Sequence, residues 1–138
     1  ISVNASPERG TSKHPVGNGT FTVGSGMEGD GHAGNWHRQV SLFDLSALEA
    51  LNREEKAAVE SSYSENITTD GLELWKLPIG TRIEIGEAVF ELQQVGKEFS
   101  KDPSEHTARE VLMHEKGVFC TVVRSGMVRP GDLVKVLE

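Results

Sequence analysis

Apolar and polar positions alternate along residues 81–96, TRIEIGEAVFELQQVG: Ile83 and Ile85 stand between polar or charged neighbours, and Val89 to Val95 runs on beyond Gly86-Glu87. Alternation with period two places successive side chains on opposite faces of a strand, and a two-residue link containing glycine lets the chain double back tightly. An antiparallel hairpin is predicted. The same reading gives strands at Val118–Val123 and Leu133–Leu137, with Pro130-Gly131 between them at positions suited to a type II turn. RQVSLFD, residues 38–44, reads as a further strand.

Helical spacing is confined to two regions. Leu45, Leu48 and Leu51 recur every three residues, Ser46 and Glu49 have the S-x-x-E form of a capping box, and Asn52 with Glu55 begins another short turn or helix. This region is expected to be amphipathic and to lie on the surface. In DPSEHTAREVLMHEKG, Asp102 can cap, Pro103 suits the first helical position, Glu105 completes a box-like arrangement and Gly117 stops the run. Ala108, Val111, Leu112 and Glu115 fall on one side, so this face is mostly apolar. Fifteen glycines and five prolines punctuate the β-rich runs, which suits a compact barrel or sandwich rather than a βαβ array.

At 138 residues the chain suits one domain over 1–138, and a chain of that length buries roughly two-thirds of its unfolded surface. A formal net charge of -7 argues against nucleic acid as a partner, because that affinity comes from arrayed Lys and Arg. A local anion site remains compatible with it. Cys120 is the only cysteine, so no intrachain disulfide forms and a reducing, cytoplasmic setting is expected. No apolar run approaches the roughly 20 residues of a membrane span, and ISVNASPERG lacks signal-peptide character. The chain begins at Ile1 rather than Met, which leaves open what precedes it.

Candidate chemistry concentrates in MEGDGHAGNWHRQVSLFD, Met27 to Asp44. Gly29, Gly31 and Gly34 allow backbone N–H groups to approach an anion, and Arg38 supplies a fork of donors. The alternative is a tight turn in which Asp30 bonds its own backbone. His32 and His37, with Asp30 as a third group, raise the question of a metal, but no H-x-x-x-H spacing is present and a dedicated metal site is not expected. Either histidine suits a structural role or general acid/base work, and the sequence does not choose between them. SENITTDG sets Asn66, Thr68 and Thr69 beside Glu65, offering neutral donors and acceptors to a ring edge or phosphate, while Lys97 follows a strand at a glycine in QQVGKEFS. Polar capping of strand ends accounts for both equally well. Cys120 in GVFCTVV reads as a half-buried strand residue acting as a small hydrophobe.

Taken in order, ERGTSKHPV, MEGDGHAGNWHRQVSL, SENITTDGLEL, LPIGTRIEIGEAVFELQQVGKE and EKGVF resemble the MOSC family, the domain named for the C-terminus of molybdenum cofactor sulfurases, in its small stand-alone form. The resemblance implies a mainly β fold, a distorted closed β-barrel with a few short peripheral α-helices and a cleft where the polar segments meet. It further implies molybdenum-cofactor chemistry: sulfur transfer, or binding of molybdopterin or a related pterin. By motif match the cleft is lined by Lys13, Asp30, His32, Arg38, Asn66, Thr68 and Lys97. Stand-alone relatives usually follow the G-K-E of VGKE with cysteine, but here Phe99 and Ser100 follow Glu98. A phenyl ring forms no persulfide and ligates no molybdenum. Sulfur transfer would then require Cys120 to reach the cleft.

Three functions follow as expectations. The first is binding of a small anionic, pterin-type ligand without thiol chemistry, with Arg38, Lys13 and Lys97 holding phosphate and Asn66 and Thr68 reading the ring. The second is a catalytically silent module docking a cofactor-biosynthesis or sulfur-transfer protein, in which the charged 52–65 segment presents a face. The third is an enzyme using His32 or His37 as general base, oriented by Asp30.

Overall fold

The computed structural model describes residues 2–5, 14–30, 39–49, 51–60, 65–96 and 108–137. Among these residues, eleven strands form: β1 (Ser2–Ala5), β2 (His14–Pro15), β3 (Gly19–Thr22), β4 (Gly26–Met27), β5 (Val40–Asp44), β6 (Ile67–Thr69), β7 (Arg82–Ile85), β8 (Ala88–Val95), β9 (Val118–Arg124), β10 (Gly126–Val128) and β11 (Val134–Leu137). Two helices, α1 (Arg53–Glu60) and α2 (Ala108–Lys116), and two 3-10 turns accompany them. The fold is mainly β, as predicted.

The hairpin forms as the alternation requires: β7 and β8 are antiparallel with Ile83 opposite Phe90 and Ile85 opposite Ala88. Gly86 opens the turn at φ +57°, and a Cβ there would fall 2.3 Å from Asp132 Oδ2. The conformation and the crowding both call for glycine. Pro130-Gly131 also turns as expected, with Gly131 at φ +93° and Asp132 N–H donating to the Arg129 carbonyl at 3.1 Å.

One sheet has eight strands in the order β11-β7-β8-β9-β5-β6-β1-β2, and a second has three, β10-β3-β4. The expected closed barrel is not found: among the described residues no pairing joins the end strands β11 and β2, and neither sheet closes on itself. Register shifts at Val89/Phe90 and Leu92/Gln94 interrupt the β8–β9 ladder, and such irregularities bend a strand. Val3 and Ile67 from one end of the sheet, and Ile85 and Val134 from the other, nevertheless line a common groove of about 350 Å³. Val128 of the small sheet and the 129–133 turn stand in that seam in place of a closing ladder.

Two cores lie on opposite faces of β5. The first gathers Val40, Leu42, Ile67, Ile83, Phe90, Leu92 and Cys120, with Phe21 of the small sheet set edge-on to Phe90 at 5.2 Å between ring centroids. The second holds Phe43, Ala47, Leu48, Met113 and Phe119. Burial on both faces explains why every residue of β5 is apolar or finds a polar partner.

The helical region departs from expectation in two places. Asp44, not Ser46, caps the 3-10 turn Leu45–Leu48, its Oδ1 accepting from Ser46 N–H at 2.9 Å and Ser46 Oγ at 2.6 Å. The ionised side chain two residues earlier makes the stronger, charge-assisted cap. A reciprocal box forms instead at α1: Asn52 N–H donates to Glu55 Oε1 at 3.1 Å and Glu55 N–H to Asn52 Oδ1 at 2.9 Å. Among the described side chains of α2, Arg109 and Met113 are buried and Val111 and Leu112 partly covered, whereas Glu115 is exposed. Arg109 and Met113 thus share the inward face with Leu112 of the expected apolar side, while Glu115 lies outside it. Gly117 ends α2 as expected; the roles assigned to Asp102, Pro103 and Glu105 fall outside the described residues.

Candidate functional site

Parallel pairing of β5 with β6 sets Leu42 beside Ile67 and Phe43 beside Thr68, while β1 pairs on the other side of β6 with Val3 opposite Ile67. Glu65 and Asn66, just ahead of β6, are thereby held between β5 and β1. Both are wholly buried, as is Asn4, and Thr68 is nearly so.

Asn66 is the junction. Its Oδ1 accepts from Ser41 N–H at 3.0 Å and Ser41 Oγ at 3.3 Å, and its Nδ2 donates to the Asn4 carbonyl at 3.3 Å and lies 3.7 Å from Met27 Sδ. Asn4 N–H donates in turn to the Asn66 carbonyl at 2.7 Å. Met27 and Ser41 belong to the same glycine- and histidine-bearing stretch, so that stretch and SENITTDG meet here.

A second group adjoins it. The Arg109 guanidinium, from α2, grips Glu65 through Nε to Oε1 at 3.0 Å and Nη2 to Oε2 at 2.5 Å, and lies over the Phe43 ring at 5.3 Å from its centroid. Thr68 Oγ1 donates to Glu65 Oε2 at 2.7 Å. Asn4 Nδ2 donates to the Glu65 carbonyl and to Thr68 Oγ1, each at 3.2 Å. Asn4 Oδ1 is buried and has no hydrogen-bond partner among the described residues. Below the sheet's other face, Asp44 gathers the hydroxyl of Thr69 at 2.5 Å and the N–H groups of Gly71 and Leu72 at 3.2 and 3.1 Å.

Of the residues expected to line the cleft, Asp30, Asn66 and Thr68 are described. Asp30 is buried at the end of a turn in which its N–H donates to the Met27 carbonyl at 3.3 Å, with Gly29 at φ +81°. The turn starts at Met27, which touches Asn66, so Asn66, Thr68 and the Asp30 turn are brought to one region. Lys13, His32, His37, Arg38 and Lys97 lie outside the described residues. Among the described residues, no group of three His, Cys, Asp or Glu is placed to hold a metal ion, and no helix is long and apolar enough to cross a membrane.

Cys120 faces the first core, opposite Val40 on one side and Leu92 on the other, and is wholly buried. Burial pushes its thiol far above the ordinary range, because a thiolate there would lose its hydration. The residue is more deeply enclosed than the half-buried position expected.

Asn4 and Arg109 are site residues that the sequence reading does not single out. Asn4 gives no signal, being one polar residue in a short run. Arg109 does give one: it falls in step with Leu112, Met113 and Lys116, and a cation within an apolar stripe calls for a buried partner.

The model of the MOSC domain matches residues 29–135. The chain belongs to the MOSC domain family. Solved structures agree in fold: the YUAD protein of Bacillus subtilis, 17% identical, superposes with a TM-score of 0.66 over 98% of this chain and 92% of its own. YiiM of Escherichia coli, 21% identical, gives 0.67 over 99% and 68%, and YiiM of Geobacillus stearothermophilus, 14% identical, gives 0.66 over 100% and 74%. No curated protein sequence matches significantly. This MOSC protein has Phe99 after Glu98, and its one cysteine lies in the core.

Proposed function

We propose that this MOSC protein binds a small anionic ligand of molybdenum-cofactor or pterin type beside Asn66 and Asn4, without thiol chemistry. The observation that carries the reading is Asn4 Oδ1, a buried acceptor with no donor among the described residues, beside the contact of Asn66 with Met27. A buried polar atom left unpaired costs about 1–3 kcal/mol, so it calls for a donor. A pterin edge, rich in N–H groups, supplies one. In this reading Lys13, Arg38 and Lys97 hold the ligand's phosphate.

The residues described do not fit thiol-based sulfur transfer or thiolate ligation of molybdenum. Cys120 is enclosed among aliphatic side chains, and burial holds its thiol in the protonated form. No step is therefore routed through a persulfide or a metal-bound thiolate. Binding in a reducing, cytoplasmic setting is consistent with the absence of a second cysteine.

Calorimetric or fluorescence titration with a phosphate-bearing pterin tests the reading. Saturable binding in the micromolar range is expected. No heat or fluorescence change at high micromolar ligand overturns it.

A further inference from the structure

The hydrogen bonds from Arg109 to Asn4 run in one direction, set at the cationic end. A guanidinium has donors only, and the Glu65 carboxylate it grips answers as an acceptor. Glu65 Oε2 also takes the Thr68 hydroxyl proton at 2.7 Å. A hydroxyl has a single proton to give. With that proton spent, Thr68 Oγ1 meets Asn4 as an acceptor, and Arg109 Nη2 approaches the same oxygen as a further donor at 3.5 Å. The other neighbour of the Asn4 amide is the Glu65 carbonyl, again an acceptor. Both contacts demand the NH₂ end of Asn4. Its Oδ1 is left as the end without a partner among the described residues.

We propose that Arg109 and Glu65 are a positioning pair that sets the polarity of the Asn4 amide, so that the site offers a carbonyl oxygen and selects a ligand with an N–H donor edge. The ligand class is a heterocycle bearing a ring N–H or an exocyclic amine. This deepens the pterin reading and rests on it for the ligand; the amide's orientation is a property of the protein alone. A stability role explains the pair less well, since apolar residues of similar volume commonly replace buried ion pairs at little cost.

Glu65→Gln is the decisive change. It keeps the shape and an acceptor for Arg109; with its amide nitrogen facing Thr68 it donates to Thr68 Oγ1, and the freed Thr68 proton then opposes the Asn4 NH₂ group that faces the same oxygen. Side-chain amide resonances of ¹⁵N-labelled protein report the orientation. In the parent protein the Asn4 NH₂ protons are expected to exchange slowly, both being held. In Glu65→Gln they are expected to shift and exchange at least tenfold faster, and affinity for a phosphate-bearing pterin to fall at least tenfold at a similar Tm. Fast exchange of the Asn4 NH₂ protons in the parent, or unchanged Asn4 signals in the folded variant, overturns the proposal. Should Glu65→Gln not fold, Glu65→Gln with Arg109→Met removes the remaining buried charge and is read the same way. If the parent binds no pterin, the functional reading fails, and the exchange measurement still decides the polarity.

Discussion

Ser41 and Asn66 are joined four ways: Asn66 Oδ1 accepts from Ser41 N–H at 3.0 Å and Ser41 Oγ at 3.3 Å, while Asn66 N–H reaches the Ser41 carbonyl at 2.9 Å and Ser41 Oγ at 3.1 Å. They stand 25 residues apart. The asparagine side chain thus stands in for a strand partner just before β6 begins, and satisfies a β5 N–H that would otherwise be buried unpaired.

Asn66→Ala removes that acceptor and leaves the buried Ser41 N–H without its partner, so a loss of about 3 kcal/mol is expected in urea unfolding. Asn66→Asp keeps the acceptor but cannot donate to the Asn4 carbonyl. It is expected to fall between the two, and a loss as large as alanine's would show that the donation to Asn4 matters as much as the acceptor.

Asp44 holds five donors from three places: Ser46 N–H and Oγ, Thr69 Oγ1, and the N–H groups of Gly71 and Leu72. Asp44→Ala loses a cap and leaves Thr69 buried without its acceptor, at a cost of about 3 kcal/mol or more. Asp44→Asn keeps one acceptor oxygen and turns an NH₂ toward donors. Thermal unfolding is expected to order the three proteins as parent, asparagine, alanine.

Local pattern decides what is legible in the sequence. Period-two alternation and a Gly-led turn are enough for β7 and β8, and Pro130-Gly131 for the turn ahead of β11. The open sheet is not legible, because closure depends on whether β11 finds a partner at the far end, and nothing in either strand encodes that. Arg109 falls in step with Leu112 and Met113, but what makes its burial tolerable is Glu65, 44 positions earlier, and no local pattern links the two. Asn66 and Thr68 are marked by their motif, yet their side chains bond mainly to the protein itself. Asn4, which carries the unpaired oxygen, has no motif to mark it.

Arg109 and Glu65 should couple strongly. Arg109→Met alone strands the buried Glu65 carboxylate and is expected to cost about 3–5 kcal/mol. Combining Arg109→Met with Glu65→Gln removes both charges and should recover much of that loss. A coupling energy of about 1–3 kcal/mol from the four-protein cycle is expected; additive losses would show that the two side chains contribute independently.

Cys120 should be chemically silent until the protein unfolds. Enclosed beside Val40 and Leu92, its thiol is expected to resist iodoacetamide at pH 8 in native protein and to react promptly in denaturant. Its folded pKa is raised by burial above the ordinary value of 9.0, so the protein gains no stability from ionising it. Below that value both states hold the proton and the full contribution is present. Above it the unfolded chain loses the proton first, and stability declines as pH rises. Cys120→Ala removes the titrating group, so the alkaline fall in Tm should be shallower in that variant than in the parent; identical slopes above pH 9 would assign the decline to other groups.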